Sequence, residues 1–187
     1  MSYIRFVSIS VIVFILYVLT HLIQIQIYSG NFLTREFNTI AYAIYIPHGW
    51  RILAFLIYSY WAIPGLFLAL LYTGYINDAF VNYDFVFIAT TFISAMCVPL
   101  GAQILKNFYK NLDNFFKLSY IISLTFVSAF INASATNILR LLTRLDYEVE
   151  RFLPEFLGYM IGDTLGVVLI VFGYIGIKRL FLLSVTK

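Results

Sequence analysis

Arg51 and Asp163 are opposite charges set inside two different apolar runs of the chain, and His48 stands three residues before the arginine. These side chains offer an ion pair, a proton carrier near neutrality, or a seat for a charged ligand. An ionisable side chain in hydrocarbon costs about 2.5–3.5 kcal/mol even on insertion scales, so it persists where it is paired or functional. Each charge lies in a short motif that loosens or tightens a helix. One is Pro47-His48-Gly49-Trp50-Arg51; the other is Gly158, Gly162-Asp163 and Gly166. The expectation is that Asp163 pairs with Arg51 or Arg140.

Other chemistry finds less support. His48 has no second histidine at i+3 or i+4, so metal ligation is not expected. It serves either as a ligand or proton contact or as a hydrogen-bonded link between helices. The one cysteine, Cys97, lies in an apolar run, which excludes an intrachain disulfide and any CxxC motif and reads as packing. The chain has no HExxH, GxSxG, P-loop or dinucleotide-binding signature. No enzyme activity, no cofactor and no metal site are expected.

Composition fixes the elements that must position these residues. Of 187 residues, 62% are hydrophobic and 11% charged, against roughly 25% charged in a soluble domain. With a mean hydropathy of +0.91, the chain reads as all-α, a polytopic transmembrane helical bundle forming a single integral membrane domain over residues 1–187. The net charge of +3 comes from basic residues at segment ends, which form no stripe for nucleic acid. The apolar run after Arg5 is too long for a signal peptide and lacks a small-x-small cleavage site, so it reads as a retained first helix.

Six spans are expected, approximately Phe6 to Tyr28, Phe37 to Tyr58, Trp61 to Ile76, Phe85 to Tyr109, Phe116 to Leu142 and Pro154 to Leu180. The second is expected to be broken or kinked at Pro47–Gly49, because proline removes a backbone donor. That irregularity serves either shape or binding. The third is short enough to be tilted or partly re-entrant. Basic residues place Arg5, Lys106, Lys110, Lys117, Lys178, Arg179 and Lys187 on one side. Glu36, Asp78, Asp84, Asp146, Glu148, Glu150 and Glu155, with Arg35, Arg144 and Arg151, fall on the other. The positive-inside rule then puts both termini in the cytoplasm.

At 1.5 Å per residue, Pro47 and Asp163 both lie about 14 Å below the outer surface, with Arg51 one turn deeper. Asn132, Asn137 and Arg140 on the fifth span, and His21 and Gln24 on the first, fall in the same half; Gln103 is the clearest polar residue of the other. The asymmetry points to a polar cavity or hydrogen-bonded cluster opening outward. Gly158, Gly162 and Gly166 share one helix face and invite close packing, with Asp163 about 100° round from it. Asn132 and Asn137 crosslink helices or bind ligand. The partners implied are the lipid bilayer, a membrane protein partner or a second copy of the chain, and a small-molecule ligand.

At these motifs the chain resembles bacterial membrane-associated sensor domains of the first MASE type. The resemblance rests on Tyr45-Ile46-Pro47-His48-Gly49, the apolar run Ile52 to Tyr60, Pro64-Gly65, and Gly162-Asp163-Thr164-Leu165-Gly166. It covers the middle and last thirds of the chain. Such domains have about eight helices and feed a cytoplasmic kinase or cyclic-dinucleotide enzyme. Here Arg51 replaces a small apolar residue and Tyr58 stands where glycine is common. The resemblance implies a reception module without its own output, acting through a partner or oligomer. A substrate-capture subunit of a transporter is the competing expectation, although the first span lacks the alanine-x-x-x-alanine face of such subunits. A structural subunit of a larger membrane complex is the third.

Overall fold

The computed structural model describes residues 3–29, 44–76, 85–109, 118–143 and 149–185. Among these, every element is helical: α1 (Tyr3–Ser29), α2 (Ile46–Tyr58), a 3₁₀ turn (Ser59–Ala62), α3 (Ile63–Ile76), α4 (Phe85–Leu105), α5 (Leu118–Thr143), α6 (Val149–Val167), a π segment (Val168–Phe172) and α7 (Gly173–Val185). The expected start of the second span at Phe37 lies outside the described residues. So do Arg35, Glu36, Asp78, Asp84, Lys110, Lys117, Arg144, Asp146, Glu148 and Lys187.

Five stretches, not six, are long and apolar enough to cross a membrane: Tyr3–Ile27, Ile46–Ile76, Phe85–Leu105, Leu118–Thr143 and Phe152–Arg179. The expected second and third spans form one 31-residue helical stretch. Its arms, α2 and α3, have 13 and 14 residues, each short of the roughly 20 that a 30 Å hydrocarbon core requires.

This second stretch folds back on itself, as its contacts along α1 show. The Gln24 amide donates to the Ile44 carbonyl (3.3 Å), the Tyr17 and Tyr45 hydroxyls meet at 3.2 Å, and Trp50 donates to the Val13 carbonyl at 3.4 Å. The Trp61 ring then meets Phe6 edge-on, Gly65 packs on the Ser10 carbonyl, and Tyr72 lies 5.7 Å from Phe14. The chain therefore descends α1 from Gln24 to Phe6 and climbs again. Ser59 makes the bend, with φ 53° and ψ −141° and its N–H on the Phe55 carbonyl. Positive φ is uncommon for a side chain with a Cβ and marks a strained corner.

Pro47 stands in the first turn of α2, where a missing N–H costs no helical bond. The irregular backbone is Ile44–Tyr45, immediately before it, and α2 runs unbroken from Ile46.

α2 is the hub. Pro47, His48, Gly49 and Arg51 through Leu56 are all buried. One apolar cluster joins Ala54 to Ile9, Val13 and Tyr17 of α1 and to Leu66 and Ala69 of α3. The other joins Ile52, Phe55 and Leu56 to Cys97 and Val98 of α4, Ile121 and Leu124 of α5, and Val167 and Val171. Away from these contacts the helices expose Val11, Ile15, Leu19, Phe126, Phe130, Leu157 and Ile161. A lipid-facing surface has this composition, and packing rather than water exclusion must hold such helices together.

Candidate functional site

Two glycines bring α2 against α6. A Cβ on Gly49 would overlap the Gly166 carbonyl, and one on Gly166 would overlap the Tyr45 carbonyl. In the same crossing the Tyr45 N–H donates to the Gly162 carbonyl at 2.9 Å. Gly162 and Gly166 thus act as the expected close-packing pair. Gly158 does not: it is exposed, and a Cβ there would meet nothing within 4 Å.

This crossing aims His48 and Arg51 in different directions. His48 and Asp163, both 0% exposed, meet with Nδ1 3.3 Å from Oδ2, close but off the angle for a hydrogen bond. Asn132 Nδ2 donates to the same Oδ2 at 3.0 Å, and the Ser94 hydroxyl donates to Asn132 Oδ1 at 2.8 Å. On the far side of the ring, His48 Nε2 is 3.2 Å from Ser128 Oγ, which itself lies 3.2 Å from the Thr125 carbonyl. With Ser128 donating to Thr125, its oxygen accepts from His48 Nε2–H. The result is a polar chain from Ser94 on α4 through Asn132, Asp163 and His48 to Ser128 on α5, in which His48 Nδ1 and Asp163 Oδ1 are buried without a hydrogen-bond partner.

Arg51 turns away from it. The expected ion pair with Asp163 is not made, and neither is one between Arg140 and Asp163. Arg51 Nη1 donates to the Ser94 carbonyl at 3.1 Å and approaches Cys97 Sγ at 3.8 Å. The Tyr45 ring covers its face, 5.4 Å from centroid to guanidinium carbon, a cation–π contact. Proline at Pro99 of α4 leaves the Ala95 carbonyl without its helical donor, and Arg51 reaches the adjacent carbonyl of that loosened turn. Arg140 pairs instead with Glu155 at 3.2 Å and lies over the Tyr159 ring.

Between these groups lies a cavity of about 190 Å³. Arg51, Ser94 and Asn132 line one end; Thr73, Thr90, Thr91 and Thr136 line the walls; His21, Arg140 and Tyr159 lie toward the other. The latter end belongs to the half of the bundle that holds the last turns of α1 and α5. The expected polar asymmetry is therefore a cavity on one side of the layer and a polar chain on the other. Asn137 is in neither: it is buried and donates to the Ala133 carbonyl of its own helix at 2.9 Å. Gln103 is exposed.

Several participants are not among the expected site residues. Ser94, Ser128 and the threonines carry no charge and fit ordinary apolar spans, so nothing in the sequence singles them out; Tyr45 enters only as the first residue of the motif that carries the resemblance. Cys97, read as packing, is buried beside Arg51 and donates to the Ser94 carbonyl at 3.2 Å. No group of three or more His, Cys, Asp or Glu side chains that would hold a metal occurs among the described residues. Compared with protein families, curated proteins and solved structures, the chain matches none.

Proposed function

We propose that this membrane protein is a sensor-like reception module of the bacterial inner membrane. It takes a small ligand into the polar cavity and passes its occupancy to a partner. The observation that carries this reading is the cavity itself, a water-sized-to-metabolite-sized space with a buried arginine at one end and hydroxyls along its walls. A bundle stabilised by packing alone has no use for such a space, and intramembrane charge is by default functional. The resemblance to first-type MASE sensor domains supports the same class.

Basic residues set the orientation in this reading. Arg5, Lys106, Lys178 and Arg179 stand at the end where α1 begins and α4 finishes, which the positive-inside rule assigns to the cytoplasm. The cavity then faces outward and both termini face inward. The signal would leave through the π segment and α7. Val167 and Val171 pack on α2 directly below Gly166, and α7 carries Ile177 and Phe181 exposed. Local π geometry often marks such functional sites.

The test is in-membrane crosslinking followed by purification and mass spectrometry of the partners. This reading expects a kinase or cyclic-dinucleotide enzyme, lost when α7 is truncated at Gly176. Recovery of an ATPase pair would replace it with the substrate-capture reading, and recovery of a large complex with a structural role.

A further inference from the structure

We propose that the cavity's ligand is a small organic oxyanion, a compact carboxylate or phosphate compound, seated with its charged group on Arg51. This rests on the reading of the cavity as a ligand site and adds the chemistry of what it holds. Arg51 is 1% exposed, lines the cavity, and has no carboxylate within 4 Å among the described residues. Two of its hydrogen bonds leave from Nη1, and the buried Tyr17 hydroxyl lies within side-chain hydrogen-bonding reach of the guanidinium. Nε is buried without a partner. Nε and Nη2 form one edge of the guanidinium fork, which matches the two oxygens of a carboxylate or phosphate. The Tyr45 ring over the face holds that plane.

A second orphan points the same way. Thr136, 6% exposed, lines the cavity with an Oγ1 that has no partner. Buried polar groups are nearly always satisfied, so two unsatisfied groups on one cavity mark a seat for a bound species, ordered water or a ligand. An anionic ligand suits the Arg51 end, because the charge at the opposite end is balanced by the Arg140–Glu155 pair and Arg51 meets the Asp163 carboxylate only through space. Asp163 meets His48 and Asn132 through Oδ2, keeps Oδ1 unpartnered, and does not line the cavity. A space of about 190 Å³ lies below the roughly 300–1,000 Å³ of drug-sized sites, which selects a compact molecule or a lipid headgroup.

The experiment is thermal unfolding of the full chain in phosphatidylcholine nanodiscs, titrated with succinate, with inorganic phosphate, and with neutral succinamide. Succinate or phosphate is expected to raise the midpoint saturably while succinamide does not. Arg51→Gln should weaken that effect tenfold or more, and Thr136→Val severalfold. Should Arg51→Gln fail to fold, Arg51→Lys, which keeps the charge and loses the fork, takes its place with the same expected direction. In phosphatidylglycerol nanodiscs, a raised midpoint that depends on Arg51 and is no longer shifted by succinate identifies the oxyanion as a lipid headgroup's. Equal stabilisation by succinamide and succinate, unchanged in Arg51→Gln, would overturn the oxyanion and leave the cavity reading standing. No effect of any probe in either lipid would overturn both.

Discussion

Two buried charges of opposite sign occupy one layer of the bundle, and their surroundings diverge. Asp163 sits in a chain of side chains: His48 lies against Oδ2, Asn132 donates to it, and Ser94 and Ser128 extend the chain to either side, while Oδ1 is left buried without a partner. Arg51 is enclosed on its Nη1 edge by the Ser94 carbonyl and Cys97, while the rest of the guanidinium borders a cavity. Truncating Asp163 leaves Asn132 unpaired in low dielectric, so Asp163 supports the fold. A cation with an unpartnered Nε contributes less to the fold, in keeping with the proposed binding role.

The largest disturbance should come from the crossing that separates the two charges. Gly166→Ala would drive a methyl into the Tyr45 carbonyl and push α2 off α6. A loss of about 2–3 kcal/mol is expected from this overpacking, read as a lowered unfolding midpoint in detergent. Gly158→Ala, on the exposed face, should leave the midpoint unchanged.

Next comes the contrast between the charges. Asp163→Leu leaves the buried Asn132 amide without its acceptor and should cost about 1–3 kcal/mol. Arg51→Met keeps the buried stem and removes an incompletely satisfied charge, so its cost should stay below about 1 kcal/mol. The reverse order would mean that Arg51 holds the bundle together and that the cavity is incidental.

The smallest effect sharpens the same comparison. A double-mutant cycle between Asn132→Ala and Asp163→Asn should show coupling of about 0.6 kcal/mol or more, the mean for polar pairs between membrane helices. The cycle of Arg51→Gln with Asp163→Asn should fall below it, because these two side chains do not touch.

Much of this arrangement was legible in the chain. Long apolar runs bounded α1, α4, α5 and α6, and depth arithmetic put His48, Arg51, Asn132 and Asp163 in one half of the bundle. Depth does not give direction around a helix. Asn132 and Asn137 are five residues apart, about 140° of rotation, so Asn132 reaches Asp163 while Asn137 turns back to its own backbone. Gly158 shares a face with Gly162, yet the described part of α2 begins level with Gly162 and offers it no partner. The span count missed because Ser59 lets one helical stretch reverse without a loop, using backbone geometry that serine does not advertise. The pairing of Arg51 with Asp163, expected from charge alone, gave way to a neutral amide and an imidazole, which no charge pattern reveals.

The central claim is that a polar cavity over Arg51 opens on the outer side of the membrane. Its most direct test is thiol labelling in intact cells, in a Cys97→Ala background. Thr90→Cys lines the cavity wall and Gln103→Cys is exposed in the opposite half. A membrane-impermeant thiol reagent added outside should label Thr90→Cys in intact cells and Gln103→Cys only after permeabilisation. Labelling of Gln103→Cys in intact cells, with Thr90→Cys protected until permeabilisation, would contradict the orientation and the outward-facing cavity together.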